Sequence, residues 1–225
     1  MRLLDLIDVT DATVTIDAMG TQHAIASAII EKGGEYILTV KKNRKVQYKE
    51  LVDFFAACRE HAYQPENGTY TVSRDYEHGR HEIRECWICD DVSSLPQTRK
   101  WQSVHGAAML RYRTEGSGRN TDETQYVIFS QQDKTAAELL SDKRKHWGIE
   151  NKLHWVLDMT YREDDSRARS EYSAENLNVI RHMTFNILKQ MDDQSMSLAR
   201  RQKWCLGSDA YFNQTMEMAG FMTIV

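Results

Sequence analysis

The chain has 225 residues, 41% hydrophobic and 28% charged, with a formal net charge of −4 at pH 7. That length can bury a sizeable core, as one domain or one domain with an insertion. The total charge advertises neither nucleic acid nor anionic membrane, so any such surface must come from local basic clusters. The longest apolar runs are too short to span a bilayer. The N-terminal MRLLDLIDVTD lacks a cleavable signal pattern, and a cytoplasmic location is expected.

In chain order, TVTID (residues 13–17) alternates and reads as a strand ending at Asp17. AMG is a tight connection. Thr21 to Lys32 reads as a helix with Ile25, Ala28 and Ile29 on one face, ended by Gly33 and Gly34. EYILTV (35–40) is a second strand. Strand, helix and strand predict a parallel pair with a right-handed crossover. Asp17 then stands at the carboxyl end of its strand, the edge where α/β folds build sites. It could equally just end the strand or help to cap the following helix.

The second strand runs into KKNRK (41–45), whose Lys41, Lys42, Arg44 and Lys45 form the sharpest basic cluster in the chain. At the same sheet edge as Asp17 it could hold phosphates, although a solvated loop is the commoner meaning of such a run. A helix over Val46 to Glu60 follows, burying Leu51, Phe54 and Phe55. QPENG (64–68) signals a turn, and residues 62–130 read as strand-rich and mostly antiparallel. Cys86 and Cys89 form a single CxxC inside a strand, where positions three apart face opposite sides. Without a second pair at zinc-site spacing, and without a helix after it, the motif reads as structural thiols.

Beyond Thr135 the pattern is helical. Ala136, Leu140, Trp147 and Leu153 give a helical spacing, and His146, Glu150 and His154 stand at i, i+4 and i+8, one face of an α-helix. A carboxylate between imidazoles and indoles is not a usual solvated face, though it could border a tryptophan-rich packing stripe. Ser173 to Met191 reads as a further helix with Ser173 as N-cap and an apolar face of Leu177, Ile180, Ile187, Leu188 and Met191.

TIDAMGTQ, the VKKN after YILT, HGRHEIR (78–84), HWGIENKLHWVLD with its following EDDSRAR, and IRHMTFNIL (180–188) occur in order along nearly the whole chain. Together they closely resemble the transposases of the ISAs-type insertion sequences. That group of IS-four-like DDE transposases includes the H-repeat-associated proteins of enteric bacteria. The resemblance implies a mixed α/β, partial ribonuclease-H-like fold: a strand-helix-strand core over residues 1–61, a β-rich insertion over 62–130, and C-terminal helices over 131–225. It implies transposition of an insertion sequence by phosphodiester cleavage and strand transfer, with Mg²⁺ or Mn²⁺ held by two aspartates and a glutamate. Hard cations want carboxylate oxygens, and they relieve charge on the reacting oxygens.

By motif, Asp17 matches the second aspartate and Glu150 the glutamate, as catalytic and metal-holding residues. Lys41, Lys42, Asn43, Arg44, His146, Asn151 and His154 match positions expected at DNA. His146 stands where the wider group places an arginine, Leu157 where it places a lysine, and Arg44 where a glutamine usually follows the asparagine. The family's first aspartate lies in an Asp-Gly-Lys segment; Asp5, Asp8 and Asp11 precede Asp17 here, but none lies in that motif. The chain therefore reads as the carboxyl-terminal part of a transposase, weak or inactive alone. Its expected partners are insertion-sequence ends and target DNA, a second copy or an intact transposase, and no membrane. The competing readings are a non-catalytic DNA-binding remnant that inhibits an intact transposase, a metal-dependent nuclease, and a transition-metal site on His146, Glu150 and His154.

Overall fold

The computed structural model describes residues 2–58, 69–77, 79–116, 120–191 and 195–220. The chain divides into two compact units, Met1–His146 and Trp147–Val225. Among the described residues no helix is long and apolar enough to cross a membrane.

The first unit is built on one six-stranded sheet in the order β1-β2-β6-β5-β4-β3. The strands are β1 (Thr13–Ile16), β2 (Glu35–Val40), β3 (Tyr70–Glu77), β4 (Arg80–Cys89), β5 (Gly106–Gly116) and β6 (Thr121–Phe129). As the strand-helix-strand pattern requires, β1 and β2 are parallel, with Thr15 opposite Ile37. The remaining pairings are antiparallel, and β6 joins the strand-rich segment to β2 with Leu38 opposite Ile128. The mixed α/β class expected from the sequence is the observed one.

Alternation then sorts side chains between two cores. Tyr36, Leu38, Val40, Met109 and Ile128 face one side, where Ala26 and Ile29 of α2 (His23–Glu31) and Leu51 and Phe55 of α3 (Lys45–Cys58) cover them. Ile37, Ala108, Leu110, Val127 and Phe129 face the other, under Ala136, Leu139 and Leu140 of α4 (Ala136–Ile149). Cys86 lies in the second core and Cys89 packs against the first, so the CxxC thiols do point to opposite faces. Both are free, and burial pushes the Cys86 thiol up.

Local deviations from the sequence reading have local causes. Helix α2 starts at His23 rather than Thr21, because the Thr21 hydroxyl donates instead to the Thr39 carbonyl at 2.7 Å and Gln22 takes an extended N-cap conformation. Helix α3 is described to Cys58, and the turn expected at 64–68 lies outside the described residues. Phe54 is half-buried, whereas Leu51 and Phe55 are fully buried.

A short helix, α1 (Arg2–Leu6), precedes the sheet; after α4 come one π-helical turn, Glu150–His154, and α5 (Trp155–Tyr161). The second unit continues with α6 (Ser173–Gln190), α7 (Leu198–Gly207) and α8 (Asp209–Met218). Tyr172, not Ser173, occupies the N-cap of α6. The expected apolar face of α6 is divided: Phe185, Leu188 and the following Met191 are buried, while Leu177 and Ile180 are 37% and 58% exposed. The C-terminal end of α6 meets α7. There the buried Arg201 of α7 donates to the carbonyls of Leu188 at 2.8 Å and Met191 at 2.9 Å, and to Met196 at 3.2 Å. A cation thereby satisfies carbonyls that the end of α6 leaves without helical partners.

Two substitutions probe these cores. A Cβ at Gly106 would lie 2.3 Å from the Phe129 ring and 2.8 Å from the Cys89 carbonyl. Gly106→Ala should therefore destabilise the first unit by about 2 kcal/mol, read as a lowered urea midpoint. Arg201→Ala leaves buried carbonyls unpaired and should cost about 2–3 kcal/mol. The loss should appear as faster amide exchange in α6 and α7 with the sheet amides unaffected.

Candidate active site

Strand β1 turns its residues alternately. Val14 and Ile16 pack against the core under α2 and α3, whereas Thr15 faces α4, where its hydroxyl lies 2.9 Å from His146 Nδ1. Asp17 follows in extended conformation, φ −78° and ψ 170°, immediately before a 3-10 turn over Ala18–Gly20. Its side chain makes no cap to that turn, and α2 begins six residues later. Asp17 thus ends a strand with a 57% exposed carboxylate, rather than serving as a helix cap.

The next strand supplies the positive side of the site. Lys41, directly after β2, places its ammonium 3.1 Å from Asp17 Oδ2. Asn43 donates to the Ala18 carbonyl at 2.8 Å and Arg44 Nε to the Thr21 carbonyl at 2.8 Å. Three of the four residues in Lys41–Arg44 therefore tie this loop to the loop after β1. Lys42 is exposed. The basic run is in part structural glue for the Asp17 loop, which its sequence alone does not reveal.

A second cation acts on Asp17, at a position the sequence reading passed over. Lys143 is only 2% exposed and donates to the Thr39 hydroxyl at 3.0 Å. Ala136, Leu139, Leu140 and Lys143 occupy i, i+3, i+4 and i+7 of α4 and all are buried. A lysine in the fourth place of an apolar stripe is the signal that could have found it. The stripe expected through Trp147 is not the buried one, since Trp147 is 41% and Trp155 59% exposed.

Burial would raise the Asp17 pKa. The Lys41 hydrogen bond, the Ala18 N–H and the charges of Lys41 and Lys143 outweigh it and hold the carboxyl below its usual range. Asp17 is ionised at neutral pH, a hard oxygen ligand of the kind Mg²⁺ or Mn²⁺ takes. Among the described residues no group of three or more His, Cys, Asp or Glu side chains gathers as a metal site. Asp17 is one ligand-type carboxylate held between two cations. The side chains of Glu150 and Asn151 lie outside the described residues, while their backbone belongs to the π-helical turn Glu150–His154. That turn interrupts the expected α-helix. With i→i+5 bonding the backbone turns less per residue than in an α-helix, and positions four apart still lie close to one face. His154 is exposed, and His146 already has Thr15 as partner.

Lys143 carries its own pH signature. Burial lowers its pKa, partly opposed by Asp17 and reinforced by Lys41. Between that lowered value and the ordinary 10.5, the unfolded chain binds more protons than the folded one, so stability rises with pH across this window. Lys143→Met should abolish that rise and be neutral or stabilising by about 1 kcal/mol at pH 7. Urea denaturation of both proteins at neutral and alkaline pH reads the difference.

Residues 1–187 match the family model described as the Transposase DDE domain. The chain is similar to "Putative protein YbfL" and "H repeat-associated putative transposase YhhI" of Escherichia coli K12, each 34% identical over 83% of this chain and 50% of the relative. It is also similar to "Putative transposase YncI" of Escherichia coli O157:H7, 29% identical over 96% of this chain and 55% of the relative. The chain thus spans about half the length of the curated relatives it matches. With the family model covering more than four-fifths of the sequence and the acidic strand end of β1 inside it, the chain belongs to the Transposase DDE domain family.

Proposed function

We propose that this chain provides part of the catalytic core of an insertion-sequence transposase, with Asp17 and Glu150 as two of its metal-holding carboxylates. The observation that carries the reading is Asp17 itself: an ionised, accessible carboxylate at the carboxyl end of β1, on the sheet edge where the basic loop Lys41–Arg44 also begins. Family membership implies dependence on a divalent metal in general. Mg²⁺ or Mn²⁺ bound here would polarise a phosphodiester and stabilise the attacking and leaving oxygens.

The chain's own residues have separable tasks in this reading. Asp17 binds the cation through a carboxylate that needs no deprotonation at neutral pH. Lys41 neutralises Asp17 until a cation replaces it. Lys143 keeps a positive potential at the site and, through Thr39, fixes the end of β2. Lys42 and Arg44, with Asn43, His146, Asn151 and His154, are the DNA contacts we assign. Lys41 and Arg44 act there only so far as their present bonds to Asp17 and Thr21 allow. A third carboxylate completes such a site beside Asp17 and Glu150, and a second copy or an intact transposase is the partner class we assign.

The Asp17–Lys41 pair also favours a second reading, a non-catalytic DNA binder that occupies element ends and inhibits an intact transposase. In that case DNA binding is salt-sensitive and no nicking accompanies it.

The test uses the purified chain with Mn²⁺. Electron paramagnetic resonance should show bound Mn²⁺ whose affinity falls about tenfold, ~1.4 kcal/mol, in Asp17→Asn and in Glu150→Gln. Any nicking of a supercoiled plasmid carrying element ends should vanish in both. Nicking that survives both substitutions removes these carboxylates from the chemistry. DNA binding without Mn²⁺ binding selects the inhibitor reading.

A further inference from the structure

An open cavity of about 570 Å³ is lined by residues of the Lys42–Arg44 turn, Asn43 and Arg44 among them. This falls in the range of ~300–1,000 Å³ typical of small-ligand sites. Three segments distant in sequence line it: the start of α2 at Gln22 and His23, the turn and first residues of α3 at Arg44 and Lys45, and a 3-10 turn, Thr98–Lys100, between β4 and β5. Arg44, Lys45 and Lys100 are all in its wall, and among the described residues the wall contains no carboxylate.

Glu50, which holds one wall of the cavity, is committed to that wall's backbone. It accepts from the Gln97 N–H at 2.8 Å, the Thr98 N–H at 3.0 Å and the Thr98 hydroxyl at 2.9 Å. Its charge is spent on holding the turn that presents Lys100. Arg44 is held by the Thr21 carbonyl and lies over the Trp101 ring at 4.8 Å. His23 stacks on the same ring with centroids 4.0 Å apart. Burial, then the charges of Arg44 and Lys100, lowers the His23 pKa. Trp101 is 3% exposed, and its buried indole N–H has no hydrogen-bond partner among the described residues. The N-cap Gln22 gives α2 no side-chain cap, so the positive end of the helix also opens toward this space.

We propose that this cavity is a phosphate-binding site, separate from Asp17, in which Lys45, Lys100 and Arg44 hold a phosphate group against the start of α2. The group is either a backbone phosphate of DNA or a free phosphate. The DNA source rests on the transposase reading; the anion site does not. Arg44 and His23, fixed on Trp101, give a preformed wall, while the exposed Lys45 and Lys100 supply charge that no described residue of the wall neutralises.

The experiment compares the full chain with the Lys45→Ala/Lys100→Ala variant, its fold checked by circular dichroism. Lys49→Ala is the control, on the same helix but paired with Asp53 outside the cavity. Binding of a short labelled duplex is followed by fluorescence anisotropy across a salt series. Inorganic phosphate is titrated separately while the His23 ring resonances are followed by NMR.

The double variant should bind duplex about tenfold more weakly, with a log–log salt slope shallower by about 2. It should also lose the phosphate-induced shift of His23, with Lys49→Ala like the parent. A lost phosphate response with unchanged duplex affinity identifies free phosphate as the ligand. If the parent binds no duplex yet shows the His23 shift, the transposase reading fails and the anion site stands. If the double variant matches the parent in both titrations, or Lys49→Ala weakens duplex binding equally, the site is overturned, even where Asp17-dependent nicking is seen.

Discussion

Strand β2 is the constraint on which the first unit depends. It is parallel to β1, antiparallel to β6, and buried on both faces. A strand covered on both sides cannot shift by one residue without exchanging its two cores. Its register therefore fixes where Thr39 emerges, and through Thr39 the position of Lys143. The same strand ends at Val40, so Lys41 is delivered beside Asp17 by strand geometry rather than by loop adjustment.

The charges around Asp17 are unequal in kind. Lys41 is half-exposed and its pair with Asp17 is screened, so it contributes little to stability and is easily exchanged for another cation. Lys143 is buried, and among the described residues its one hydrogen-bond partner is a hydroxyl, an arrangement that costs stability while its charge persists. A fold that keeps an unfavourable lysine near an exposed carboxylate has the character of a site rather than of a packing solution. The structure gives the carboxylate one exposed counterion and one buried one.

The cavity at His23 and Trp101 extends the positive edge of the sheet. One of its walls comes from the strand-rich segment, at Gln97 and Lys100, and Glu50 of α3 clamps that wall in place. That segment therefore contributes charge to the carboxyl edge as well as strands to the sheet. A chain of net charge −4 can carry a basic surface because its acidic groups are engaged or placed elsewhere.

Periodicity in the sequence determined the strand-helix-strand start, the parallel pairing of β1 and β2, the antiparallel run, and the opposed faces of Cys86 and Cys89. Each follows from local sterics: two residues per repeat in a strand and 3.6 in a helix. Motif order likewise singled out Asp17 as the acidic strand end within a transposase pattern. Tertiary structure decided what local pattern cannot carry. That β6 pairs with β2 is a contact between residues some ninety positions apart, set by which edge remains available. That Lys41, Asn43 and Arg44 bind the Asp17 loop depends on two loops meeting in space. That the helix passes through a π-helical turn at Glu150–His154 is likewise not legible in a spacing that assumes one uniform helix. The burial of Lys143 came from α4 laying its apolar stripe on β2, where the fourth position of that stripe happens to carry a charge.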